Sequence, residues 1–263
     1  MLTTKAISYI GLIIALAIST TTGASATEDA RSIMAKSRDL RKGFTNSMTN
    51  VKMILHAGGD RTTVREMHQY VLEVDDDGNH TINVFSKPAD VDGVSILTHS
   101  ALDGNDKQWL FLPSIGRVKR ISSSNRSGAF VGSEFAYEDL SSFEVEKYSY
   151  KGFNHEELDG KQVIVVEYVP KYDNSGYTLL RCYLDPSNYQ PVRIDYFNRR
   201  NEHFKTLTLG GYKAYQENHA WRPHRLEMKN LLNGKSTTID FSDFVPSSLT
   251  VSGFNSNQFL KAR

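Results

Sequence analysis

Several strings in this sequence carry residue types that do chemistry elsewhere, and each lacks a partner that its chemistry requires. Asp75-Asp76-Asp77-Gly78-Asn79 clusters carboxylates as a calcium loop does, but counting from Glu73 the position that must supply a bidentate carboxylate is Val84. Turn chemistry reads the same string as the tip of a hairpin. Gly234-Lys235-Ser236-Thr237 matches only the end of a phosphate-binding loop, since no first glycine precedes it at the required interval and no helical pattern follows. His155-Glu156-Glu157 lacks a second histidine at helical spacing, and His219 and His224 stand on either side of Pro223, which breaks the strand between them. No G-x-S-x-G marks a serine nucleophile, and Cys182 alternates with Leu180 and Leu184 as a buried, inert thiol would. The expectation is a protein without a catalytic set, a metal or a cofactor.

The segment Trp109-Leu110-Phe111-Leu112-Pro113-Ser114-Ile115-Gly116-Arg117-Val118-Lys119-Arg120-Ile121 remains. An apolar strand enters a Pro-Ser-Ile-Gly turn and leaves as a basic strand in which Arg120 shares a face with Val118. A cation facing an apolar interior is costly unless it is paired. Glu134, Glu138 and Asp139 are the nearest downstream acids that could pair with it, and an anionic head group is the other option. The plain alternative is a solvated basic strand guarding a sheet edge.

The elements that must position these residues are mostly strands. Val-, Ile-, Thr- and Tyr-rich segments fall near 47–56, 63–74, 79–86, 94–101, 106–112, 117–121, 143–151, 161–169, 178–184, 190–198, 203–214, 223–231 and 236–244. Turn signals such as Gly58-Gly59-Asp60, Leu158-Asp159-Gly160 and Asn233-Gly234 separate them, which predicts consecutive antiparallel hairpins. One amphipathic helix precedes them, with Ala30, Ile33, Met34, Ser37 and Leu40 on one side and Gly43 stopping the run. Phe143, Val145 and Lys147 alternate against Glu144, Glu146 and Tyr148, whereas Val163–Val169 is apolar on both faces and must be covered twice. Residues 122–142 form a long connection with a short helix expected over Ser133–Leu140, and a final helical turn is expected within 253–263. Loops of that length are commonly functional or mobile.

The N-terminus reads as an export signal. Lys5 precedes an apolar run from Ile10 to Ile18, and small residues lead to Ala24-Ser25-Ala26, so cleavage is expected after Ala26. The run is too short to span a bilayer. The chain divides into a signal peptide, 1–26, and a single domain, 27–263, expected in the periplasm. Removing residues 1–26 takes away one cation, Lys5, and brings the 31 cations down to the 30 anions. That balance argues against nucleic acid as a partner. A lone cysteine excludes an intrachain disulfide, so stability must come from a core, which a chain of this size builds by burying roughly 70% of its surface.

Trp109–Ile121 together with Ser127-Gly128-Ala129-Phe130-Val131-Gly132-Ser133-Glu134-Phe135-Ala136-Tyr137-Glu138-Asp139-Leu140 resembles the outer membrane lipoprotein-sorting protein family. The members meant are LolA-like periplasmic proteins of the branch associated with RND or MmpL-type exporters. Phe85–Gly93, Asp185-Pro186 and Gln190-Pro191 add to the likeness. The resemblance implies a mainly β fold, an incomplete antiparallel barrel whose open side is covered by the N-terminal helix and by a loop or short helix. It implies a carrier that takes lipid, lipoprotein acyl chains or another apolar molecule into the half-barrel, touching membranes only transiently. A non-carrying accessory subunit of an exporter is the alternative. On that footing, ligand contact falls to Ile33, Met34, Trp109, Phe111, Leu112, Ile115, Val118, Phe130, Phe135 and Tyr137, for each of which ordinary core packing is the competing role. Polar pairing falls to Arg65, Arg117 and Arg120 with Glu134, Glu138 and Asp139, and the 122–142 connection is expected to move as a lid.

Overall fold

A computed structural model of the protein describes residues 22–256 and 259, apart from 75, 76 and 218, without the side chains of 22–28. The signal peptide expected over 1–26 therefore lies largely outside the described residues. One α-helix, α1 (Thr22–Asp39), begins five residues before the expected start at Thr27. The strands that follow are β1 (Asn46–His56), β2 (Thr62–Leu72), β3 (His80–Lys87), β4 (Ser95–His99), β5 (Lys107–Leu112), β6 (Arg117–Ile121), β7 (Tyr148–Leu158), β8 (Lys161–Pro170), β9 (Tyr177–Leu184), β10 (Pro191–Asn198), β11 (His203–Gly210), β12 (Lys213–Gln216), β13 (His219–Arg222), β14 (Arg225–Asn230), β15 (Ser236–Phe241) and β16 (Val245–Pro246).

Fourteen of them form one antiparallel sheet in the order β6-β5-β4-β3-β2-β1-β15-β14-β11-β10-β9-β8-β7, with β16 also on β1. The meander runs outward twice and is joined in the middle, where β1 pairs with β15 from Val51↔Phe241 to His56↔Ser236. The two edges are consequently β6 and β7, which are neighbours in sequence but do not pair. The sheet is a barrel left unclosed, and the chain from 122 to 147 must cross the open side because it links those edges.

Three expected elements differ. The strand expected at 143–151 begins only at Tyr148, and Val145–Lys147 is a 3-10 turn in which Glu144, Val145 and Lys147 are all buried. This stretch is covered on more than one side, so alternation does not report a strand face. The strand expected at 203–214 ends at Gly210, and the next residue, Gly211, sits at φ 64°, a left-handed conformation that favours glycine. Pro223 then separates β13 from β14, leaving β12 and β13 as a separate hairpin. The helix expected over Ser133–Leu140 is reduced to a 3-10 turn at Tyr137–Leu140, with another at Phe130–Gly132. The tail's helical turn falls at Val251–Phe254.

Period-two alternation divides the side chains between two faces. The inner face carries Met53, Met67, Phe85, Ile96, Val166, Cys182, Leu207, Met228 and Ile239, on which α1 lays Ala30 and Met34. The opposite face of β2–β5 carries Leu72, Ile82, Val84, Leu97 and Phe111, covered by Phe254 and Phe259 of the C-terminal segment. The two-faced strand β8 is explained the same way: Ile164, Val166 and Tyr168 belong to the inner core, and Val163 and Val165 join Tyr183 in a small outer cluster.

His80 and His99 stack at 3.8 Å beneath the C-terminal segment, and the His99 ring lies 2.6 Å from the Phe254 carbonyl through Nε2. Burial pushes both imidazoles below their ordinary value of 6.5, although Asp77 pulls the other way. An unfolded chain therefore takes up protons before the folded one does, so stability is full above about pH 6.5 and falls as pH drops through and below it. Melting temperatures are expected to decrease from pH 7.5 to pH 5.5, with a smaller decrease in a His80→Phe, His99→Phe variant. An equal decrease in both proteins would remove the pair as the cause.

Candidate functional site

The inner face is not filled by its own side chains. Between it, the end of α1 and the 138–144 stretch lies a cavity of about 330 Å³. Its apolar wall is set by strand register. Tyr168 of β8 stands opposite Leu180 of β9, which stands opposite Tyr196 of β10, which stands opposite Lys205 of β11. Leu207 and Leu209 follow Lys205 at alternate positions on the same face, and Leu226 and Phe241 continue the lining on β14 and β15. Phe143 stacks on Tyr148 at 5.2 Å, and Tyr148 meets Tyr168 edge-on at 4.9 Å, so this end is walled by rings. The wall across from it is polar, with Gln69 and Thr81 on β2 and β3.

The mouth is basic and clasped. Arg38, Arg41 and Lys42 come from the end of α1 and the turn after it, and Arg222 from β13. The β12–β13 hairpin holds that turn: the Trp221 amide donates to the Leu40 carbonyl at 3.1 Å, Arg222 donates to the Arg41 carbonyl, and Gln216 donates to Gly43 at 2.6 Å. Arg222 also pairs with Glu73 at 3.0 Å. Glu144 lines the same cavity and is buried, with Oε2 lacking a hydrogen-bond partner among the described residues, and desolvation raises its carboxyl above the ordinary range against the pull of Lys147, Arg38 and Lys42.

The connection that crosses the open side is anchored, contrary to the expectation of a movable lid. Phe130, Phe135 and Tyr137 are buried in the inner core. Arg126 lies 3.8 Å from Asp106, which also takes a hydrogen bond from Lys147, and all three side chains are almost fully buried. Glu138 accepts from Tyr172 at 3.1 Å, Ser175 at 2.8 Å and the Gly176 amide at 2.8 Å. Burial raises its pKa, and Asp139 adds to the rise. A Cβ on Gly176 would come within 3.0 Å of the Ser127 side chain and 3.2 Å of Glu138, so only glycine allows this approach without a shift. Asp139 accepts from Lys205 at 2.6 Å, Tyr177 at 2.6 Å and the Ala136 amide at 2.6 Å. The Lys205 ammonium also sits 4.8 Å from the Tyr177 ring and 5.0 Å from that of Tyr196.

Tyr177 lines both the inner cavity and a larger outer cleft of about 500 Å³ between the connection and the turn at 198–200. Asp139 lines the first space and Lys205 the second. The Asp139–Lys205–Tyr177 contact is thus the wall between the two.

The residues singled out by sequence separate into groups. Ile33, Met34, Leu112, Phe130, Phe135 and Tyr137 pack in or against the inner core, and Trp109 and Phe111 belong to the opposite face beneath the tail. Ile115 and Val118 are exposed. Of these ten, none lines the inner cavity and Phe135 alone lines the outer cleft. Arg65 donates to the Val131 carbonyl. Glu134 lines the outer cleft and accepts from Asn230 at 2.8 Å.

Arg117 and Arg120 are exposed on the edge strand β6, and among the described residues neither forms an ion pair. The interior cation expected at Arg120 is corrected, because no layer covers either face of β6 there. The basic strand guards an edge. Arg117→Ala and Arg120→Ala are each expected to change unfolding free energy by less than about 0.5 kcal/mol in urea titrations. A loss several times larger would require a partner for these side chains.

What sequence reading missed is the β9–β11 wall and Lys205. The alternation His203, Lys205, Leu207, Leu209 already puts a lysine on an apolar face and was the available signal.

The comparisons follow the same architecture. A domain from Vibrio parahaemolyticus, named for outer membrane lipoprotein sorting, superposes with a TM-score of 0.85 at 41% identity, over 89% of this chain and 99% of its own. A DUF1329 family protein from Desulfovibrio piger gives 0.81 at 22% identity, over 88% and 97%. A LolA superfamily protein from Nitrosomonas europaea gives 0.69 at 20% identity, over 86% and 97%. The latter two speak to the fold alone. A protein-family model described as an uncharacterized protein matches residues 77–261. No curated protein matches.

Proposed function

The chain belongs to the outer membrane lipoprotein-sorting protein family and has a LolA-like fold, and on that premise we propose that it is a periplasmic carrier that holds an acyl chain in its half-barrel between membranes. The observation that carries the reading is the cavity of about 330 Å³ lined by Leu180, Ile194, Leu207, Leu209 and a set of tyrosines. Its volume falls in the usual range for small-ligand pockets. Each methylene moved from water into such a lining contributes about 0.8 kcal/mol, enough over one chain to keep a lipid out of water. The signal-like N-terminus supports an envelope location.

In this reading the anchored connection is a fixed wall, and entry runs past the α1 end and the β12–β13 hairpin. These are joined by a few hydrogen bonds and by one ion pair, Arg222–Glu73, whose carboxylate also takes the Gly43 and Thr45 amides.

Native mass spectrometry of the protein purified from its own envelope tests the proposal. An acyl-bearing molecule at close to one per chain is the expected result. A chain that stays empty after incubation with lipids would overturn the carrier reading and leave the exporter-accessory role.

A further inference from the structure

The lining of the inner cavity carries as many acids, Glu73, Glu138, Asp139 and Glu144, as cations, Arg38, Arg41, Lys42 and Arg222, yet the pairing is uneven: Arg38 is held by Asp39 and Glu146 and Arg222 by Glu73, which leaves Arg41. Arg41 follows the last turn of α1 and spends its Nε on the Ser37 carbonyl at 3.2 Å. Its guanidinium lies 5.6 Å from the Phe143 ring centroid, against the apolar wall. Among the described residues no carboxylate lies within ion-pair distance of it. Its neighbour Arg222 has one, Glu73, and that carboxylate is also engaged by the amides of Gly43 at 2.8 Å and Thr45 at 3.2 Å.

The Arg41 charge reaches inward. Burial pushes the Cys182 thiol up to about 12 and raises the Tyr212 hydroxyl, and at both the Arg41 charge opposes the rise. At Arg222, burial lowers the guanidinium pKa, Glu73 opposes that, and the nearby Arg41 adds a smaller lowering. Glu73 is thus committed to Arg222, and the Arg41 guanidinium stands without a carboxylate partner among the described residues, beside an aromatic and aliphatic chamber. Of the other acids in the lining, Glu144 leans electrostatically on Lys147, Arg38 and Lys42, Glu138 is held by Tyr172, Ser175 and the Gly176 amide, and Asp139 by Lys205.

We infer that the cavity takes a single-chain anionic amphiphile, with a carboxylate or phosphate head held by Arg41 at the mouth and one acyl chain lying along Leu180, Leu207 and Leu209. This inference rests on the carrier reading and narrows it. A guanidinium matches either oxyanion through paired N–H donors. The cavity volume, about 330 Å³, is small for a multi-chain lipid and favours one chain. The polar wall of Gln69 and Thr81 suits the glycerol or water beside a head group better than a second chain.

The test is competition binding by the delipidated protein with hexadecanoate, with 1-palmitoyl lysophosphatidate and with hexadecanol, which share a chain and differ in head group. At least one of the two anions is expected to bind roughly tenfold or more tightly than the alcohol, the size of one charge-assisted hydrogen bond. The arm that wins identifies the head as carboxylate or phosphate. Arg41→Gln is expected to bring the anions to within about threefold of hexadecanol, and Arg41→Lys to keep most of the preference. Equal binding of all three by the unaltered protein would overturn the anionic inference while leaving the carrier reading intact. Binding of none would sink the carrier reading itself. A preference that persists undiminished in folded Arg41→Gln would remove Arg41 as the residue that holds the head.

Discussion

Asp139→Ala is expected to destabilise the protein by about 3–5 kcal/mol, because it leaves the Lys205 ammonium buried with no counter-charge. The Asp139 side chain is 1% exposed and that of Lys205 is 4% exposed. The carboxylate also takes the Tyr177 hydroxyl and the Ala136 amide, so alanine would strand three donors in one place. Removing both charges together is the informative control. Asp139→Ala with Lys205→Met should recover a large part of the loss, since an apolar pair carries no desolvation penalty. Urea unfolding of the two single variants and the double variant measures this. If Asp139→Ala unfolds at the same midpoint as the unaltered chain, Lys205 is not buried as described, and the wall between cavity and cleft has no such anchor.

Leu207→Trp is expected to lower acyl-ligand uptake by more than tenfold while the protein remains folded. Leu207 lies opposite Ile194 on β10 and Met228 on β14, in the middle of the inner face, and borders the cavity. An indole there occupies the space a chain would enter. Overpacking of this kind costs typically 1–3 kcal/mol, less than a domain's usual total stability. Titration with a fluorescent fatty acid alongside a thermal melt separates the two effects. Unchanged uptake by a folded variant would move the ligand out of the inner cavity, with the outer cleft bordered by Phe135 and Phe204 the next place to look.

Alternation along single strands made most of the sheet readable. It located β8, β9 and β10 within a residue or two and marked β8 as apolar on both faces, and the helix pattern of Ala30, Ile33, Met34 and Ser37 describes the buried side of α1. It failed where a segment is covered by something other than a neighbouring strand. Glu144, Val145 and Lys147 are buried together in a 3-10 turn, since a long-range ion pair to Asp106 takes the lysine inward. Arg120 failed in the opposite direction. Its alternation with Val118 suggests an interior, but β6 is an edge strand with both faces open, and Val118 itself is 38% exposed.

The sequence by itself determined the β-rich class, the single helix, the order of the hairpins and, through resemblance over Trp109–Leu140, the family. These rest on local properties: side-chain period, turn residues and motif strings, each contained in a short stretch of chain. Only the tertiary structure decided which strands would be edges, because that depends on β1 pairing with β15 across nearly the whole length of the domain. That one pairing places β6 and β7 on either side of the opening, sends the 122–147 chain across it, and turns Leu180, Ile194 and Leu207 toward a common space. It also decided that Arg41 would face that space without a carboxylate, a property of the packing around the residue that no spacing along the chain encodes.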